Sequence, residues 1–176
     1  MSGMSRTDDL KTTFERNAHA MSLRPSLGKG TAVTRVTLRD GVTCDVQDGK
    51  WLLTVDMSPK SGGDGRAPDP GVYGRTALGS CLAIGYTFWG AKLGVTFKHL
   101  EVEVQADYDS GGYHGVPGAQ AGYSQVRYVV TVESDASEAE IRNVLDEAEA
   151  HSPYRDNFGR ALDLQREVRV IAGKTD

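Results

Sequence analysis

The sequence has only two cysteines, no basic block and no apolar run long enough to span a bilayer. Each shortage excludes a class of protein. Cys44 and Cys81 cannot make the disulfide framework of a small secreted domain. Lys and Arg total 20 against 24 Asp and Glu, a net charge of −4 without clustered cations. A nucleic-acid partner is therefore not expected. The longest uncharged apolar stretch, Thr76 to Ala91, is punctuated by Gly, Ser and Thr. It is shorter than the ~20 residues of a membrane helix, so no membrane partner is expected either. The polar, charged start MSGMSRTDDLKTTFERN has no signal-peptide core, which points to a cytoplasmic, reducing location. His19, His99, His114 and His151 lie far apart, with no HxxxH, HExxH or CxxC pairing. Neither a metal nor another cofactor is expected. The glycines of residues 58–70 make neither GxGxxG after a strand nor a GK[ST] loop, which excludes the usual phosphate cradles. No G-x-S-x-G is present, and the neighbours His151 and Ser152 do not make a hydrolase pair.

What is present reads as alternating strands and two unlike helices. Ser5 to Met21 carries Leu10, Phe14 and Ala18 on one helical stripe. Thr31 to Leu38, Val42 to Gln47 and Lys50 to Met57 read as three strands. Asp40-Gly41 and Asp48-Gly49 are expected to be the tight turns joining them. Gly71 to Leu93 is apolar or small on nearly every face, the pattern of a buried helix, with Gly94 as its terminator. Phe97 to Asp107 and Tyr123 to Glu133 alternate as strands with one wet face, joined by a Gly-rich turn over Tyr108 to Gly122. Asp135 followed by Glu138 is taken as a helix cap. Ile141, Val144, Leu145 and Ala148 then trace the apolar stripe of a second helix whose Glu-rich face is expected in solvent. Tyr154 to Leu162 reads as a short helix, and Leu164 to Ile171 as a last strand. Strand runs interrupted by single helices indicate an antiparallel α+β domain.

That order, and three stretches of residues, resemble the OsmC/Ohr group of thiol-peroxidase-like proteins. The segment APDPGVYGRTALGSCLAIGY (Ala67 to Tyr86) is similar to the group's loop and central cysteine-bearing helix. AEAHSPYRDNFGRAL (Ala148 to Leu162) is similar to its second helix and the segment after it. LRDG (Leu38 to Gly41) resembles its first hairpin turn. The resemblance runs from about Gly28 onward. It implies an OsmC-like fold, with antiparallel sheets around two central helices, in an intertwined homodimer. Residues 28–176 would form that domain, and residues 1–27 a helical extension.

The resemblance also implies a chemistry. In peroxidase members one cysteine attacks a hydroperoxide and a second, in a Cys-Pro pair, resolves it. A hairpin arginine and a glutamate near the start of the cysteine helix prepare the thiolate. Cys81 matches the attacking cysteine and Arg39 the arginine. Ser152 stands before Pro153 where the resolving cysteine is expected, and Gly71 and Val72 stand where the glutamate would be.

A thiol must ionise to react; burial opposes this and a nearby guanidinium favours it. Cys81 lies too deep in its helix for the N-terminal dipole to matter. Arg39 is thus the expected activator, oriented by Asp69, Asp40 or a partner-chain group. Ser152, His151, Tyr73 and Phe88 are candidates to line the site. The first reading is a one-cysteine peroxidase acting on organic hydroperoxides, regenerated by an external thiol. The alternative is a non-catalytic OsmC-like dimer that binds an apolar small molecule or has a structural stress role, with Cys81 merely packed. Cys44, on a strand past the hairpin, is a poor candidate to resolve Cys81.

Overall fold

The computed structural model describes residues 6–171. Three antiparallel strands, β1 (Thr34–Asp40), β2 (Thr43–Asp48) and β3 (Trp51–Val55), form a meander in that order. The turns fall one residue later than expected. Gly41-Val42 and Gly49-Lys50 are the connecting pairs, because Asp40 pairs with Thr43 and Asp48 with Trp51. Gly41 and Gly49 have φ of 52° and 53°, which only glycine adopts without strain at the first position of a two-residue hairpin. The ladder skips one residue between Leu38 and Asp40. Arg39 is therefore the extra residue of a bulge, a device that re-aims a side chain.

Helix α1 (Arg6–Leu23) precedes the meander; its expected start at Ser5 lies outside the described residues. Helix α2 (Pro70–Leu93) follows it. The Asp69 side chain accepts from Val72 N–H at 2.9 Å, Pro70 opens the first turn, and Gly94 closes the helix in a left-handed conformation. Strands β4 (Phe97–Tyr108) and β5 (Tyr123–Ser134) pair antiparallel along their whole length. Their connection holds one short helix, α3 (Ser110–Tyr113).

Helix α4 (Glu138–Ala150) starts two residues later than the Asp135 cap implied. Ser137 is the cap, in a reciprocal capping box with Glu140; Asp135 instead pairs with Lys98. Helix α5 (Pro153–Gly159) follows after Ser152.

The core lies where α2 crosses the β4–β5 sheet. Leu78, Leu82 and Tyr86 on α2 and Ala148 on α4 are buried together. Leu100, Val102 and Val104 from β4 and Val126, Tyr128 and Val130 from β5 cover them, the alternate residues that the sequence placed on one face. The two central helices and the antiparallel sheets make the α+β arrangement expected.

One element does not form. Leu164 to Ile171 is irregular and exposed rather than a strand. Its apolar alternation is real, with Leu164 90% and Val170 89% exposed. A strand exists only when its backbone groups find a ladder, and none is offered to this segment within one chain.

Candidate active site

Several ties fix α2, and with it Cys81. The Tyr73 hydroxyl donates to Thr54 O on β3 at 2.7 Å. Tyr123 on β5 donates to Gly71 O at 3.4 Å and accepts from Arg75 at 3.3 Å. Further along, Cys81 is half-buried on the side of α2 that meets the α4–α5 corner. Its sulfur lies 3.5 Å from Ser152 Oγ, within reach of a hydrogen bond to sulfur. Ser152 is only 7% exposed. The two residues that the resemblance paired, attacking cysteine and resolving position, are thus in contact across 71 positions of chain.

The other expected site residues divide. His151 adjoins this contact. Its Nδ1 lies 2.8 Å from Glu147 O; a carbonyl only accepts, so Nδ1 carries the proton. The ring stacks on Trp89 with centroids 4.8 Å apart. Trp89 in turn carries Lys92 over its face at 4.0 Å and meets Phe14 of α1 edge-on at 5.6 Å. Phe88 stacks on Phe14 at 5.8 Å and lines an open cleft of about 550 Å³ between α1, α2 and β4. Tyr73 ties down the start of α2 through its bond to β3.

Arg39 sits on the bulge of β1, half-exposed, and its guanidinium binds the Asp45 carboxylate, with Nε 2.9 Å from Oδ2. That hydrogen bond holds Asp45 below the usual carboxylate range and Arg39 above its own ordinary value. The orienting acid is therefore Asp45, not Asp69 or Asp40, and Arg39 is not brought to Cys81 within one chain. Cys44 is a free thiol on β2, opposite Leu38 and Val55.

A polar cluster that the sequence reading passed over braces this corner. The Glu149 carboxylate accepts from the Tyr86 and Tyr128 hydroxyls, each at 2.8 Å. Arg155 Nε lies 3.2 Å from the same carboxylate and donates to Tyr128 Oη at 3.3 Å. Burial first, and the Glu149 hydrogen bond next, push the Tyr86 hydroxyl well above the usual phenol range. Tyr128 moves the same way for the same two reasons. The Glu-rich face of α4 was expected in solvent, yet Glu149 follows Ile141 and Leu145 at intervals of four and so lies on the buried stripe. The missed signal was Tyr86 itself, since a phenol inside an all-apolar helix needs a partner for its hydroxyl.

The family model described as OsmC-like protein matches residues 62–167, a span containing α2, Cys81, the β4–β5 sheet, Ser152 and the braced corner. The chain belongs to the OsmC-like protein family. Solved structures agree in fold. An OsmC-like protein from Mycoplasma pneumoniae is 15% identical, covers 74% of this chain and 89% of its own, and superposes with a TM-score of 0.64. An organic hydroperoxide resistance protein OsmC from Legionella pneumophila is 13% identical, covers 73% and 89%, and gives 0.53. An OsmC-like protein of unknown function from Vibrio cholerae is 11% identical, covers 73% and 94%, and gives 0.57. No curated protein matches the chain in sequence. Among the described residues of this OsmC-like chain, no group of three His, Cys, Asp or Glu side chains could hold a metal ion. Nor is any of their helices long and apolar enough to cross a membrane.

Proposed function

We propose that this OsmC-like protein is a one-cysteine thiol peroxidase that reduces organic hydroperoxides as a homodimer. The observation that carries the reading is the half-buried Cys81 sulfur meeting Ser152 Oγ at 3.5 Å, at a braced corner of the family's fold. The Cys81 thiolate attacks the distal peroxide oxygen. An S–O bond forms, the O–O bond breaks, and the departing alkoxide takes a proton to become an alcohol. Sulfur is oxidised by two electrons to the sulfenic acid. A serine cannot resolve this species as a disulfide, and Cys44 lies elsewhere on β2. One external thiol condenses with the sulfenic acid, releasing water, and a second frees Cys81 and leaves as the external disulfide. The name of the Legionella protein, organic hydroperoxide resistance protein, favours this substrate class.

The dimer belongs to the same proposal. The chain exposes 13590 Å², against about 8,000 Å² for a compact monomer of this size. Val36, Leu38, Trp51 and Leu53 leave one face of the β1–β3 sheet with exposed apolar side chains. Among the described residues, both outer strands of that meander, β1 and β3, lack a second neighbour. A second copy covers this surface, lends the Leu164–Ile171 segment a ladder, and brings Arg39 to a Cys81 that its own chain does not reach. The reading also divides the chain into an OsmC-like domain over residues 28–176 and a helical extension over residues 1–27, docked on α2 through Phe14.

The test is turnover. Cumene hydroperoxide is incubated with the protein and either dithiothreitol or a dihydrolipoyl donor, and peroxide loss is followed. Wild type is expected to consume peroxide catalytically and Cys81→Ser is expected to lose this while folding normally. Equal peroxide loss in both proteins, or none in either, removes the peroxidase reading. The alternative, a non-catalytic dimer binding an apolar small molecule, is favoured by the apolar cleft beside Phe88, and predicts no turnover in either protein.

A further inference from the structure

We infer that Ser152 is a positioning residue for Cys81, giving its hydroxyl proton to the sulfur and so favouring the thiolate. Ser152 is held by backbone bonds on both sides. Its N–H donates to Glu149 O at 3.2 Å, and its own carbonyl accepts from Asp156 N–H at 3.0 Å. It caps α5, and its Oγ accepts from Arg155 N–H at 3.3 Å.

A serine hydroxyl has one proton and two lone pairs. The Arg155 N–H occupies a lone pair, and the proton is left free. The nearby polar atom is Cys81 Sγ at 3.5 Å. A thiolate has no proton, so in the ionised state only Ser152 can donate across this contact. Hydrogen bonds to the charged form of a group favour that form. The Arg155 side chain is itself tethered to Tyr128 and Glu149, so the N–H that orients Ser152 belongs to a fixed corner rather than a loose helix end.

This inference rests on Cys81 acting as a thiolate, but its readout needs no peroxide. The rate at which iodoacetamide alkylates Cys81 in the full chain reports the thiolate directly. Ser152→Ala is expected to slow alkylation at neutral pH on the order of tenfold. Its rate converges with wild type at alkaline pH, where both sulfurs are ionised. Ser152→Thr keeps the proton and is expected to behave as wild type. Ser152→Asp still caps Arg155 N–H but has no proton to give and adds a negative charge, so its profile is expected to move further alkaline than that of Ser152→Ala. Loss of the cap therefore cannot imitate the effect.

An unchanged neutral-pH rate in Ser152→Ala, or a slowing of equal size at every pH, overturns the inference. The contact has a separate check. In Ser152→Cys, diamide is expected to remove two hydrogens from the pair of thiols and cross-link the introduced cysteine to Cys81. A folded variant that stays uncross-linked also overturns it. Failure of peroxide turnover with the alkylation pattern intact removes only the peroxidase reading.

Discussion

Asp56 shows how much one buried carboxylate organises. It is 1% exposed, at the end of the meander, and it accepts from the backbone N–H groups of Arg66 at 2.9 Å, Met57 at 2.8 Å and Asp64 at 3.2 Å. Thr43 Oγ1 adds a fourth bond at 3.2 Å. The Arg66 N–H contributes most to holding this carboxyl below the ordinary carboxylate range, and burial acts in the opposite sense. Folding therefore lowers the pKa. The ionised form stabilises the fold above the unfolded carboxyl's ordinary value, and that contribution disappears as pH falls toward the lower folded value. Urea midpoints measured between neutral and acidic pH are expected to fall for wild type and to fall less steeply for Asp56→Asn. Parallel curves for the two proteins would show that the loop is held by something else. No local pattern in SPKSGGDGRAPDP announces this role, because the donors that ionise Asp56 are backbone groups, which the side-chain sequence does not display.

Among elements, Tyr86 and Glu149 carry the tie between α2, α4 and β5. Tyr86→Phe removes one donor from a carboxylate that remains partly buried, so a loss of about 1.5 kcal/mol is expected in denaturant unfolding. A change within error would mean that water replaces the phenol without cost. The strands and helices themselves were largely legible. Alternation in Phe97 to Asp107 and the all-apolar face of Gly71 to Leu93 state their burial directly, and a glycine with positive φ opens each hairpin turn. The errors have local causes. Both Asp135 and Ser137 have the chemistry of a cap, and only backbone geometry chose Ser137. Leu164 to Ile171 has strand periodicity, but a ladder depends on a neighbour that sequence pattern cannot supply. Within the candidate site, Cys81 and Ser152 were legible through the family resemblance. Arg155 and Glu149 were not, since their partners, Tyr86 and Tyr128, lie 21 or more residues away.

For the whole molecule, the surplus of exposed surface and the one-chain distance between Arg39 and its proposed target have the same remedy, a second copy. Sedimentation equilibrium at micromolar concentration is expected to give twice the chain mass. Placing a charge in the open apolar sheet face, as in Val36→Asp, is expected to shift the protein toward monomer. A wild-type monomer would remove the surface on which the shared site depends. The central claim, however, concerns one atom, the Cys81 sulfur. It is tested most directly by adding one equivalent of cumene hydroperoxide in the presence of dimedone and locating the adduct by peptide mass spectrometry. The account predicts a sulfenate adduct at Cys81 within the time of peroxide loss, with Cys44 unlabelled. A Cys81 that stays unmodified while the protein is folded and dimeric would contradict it.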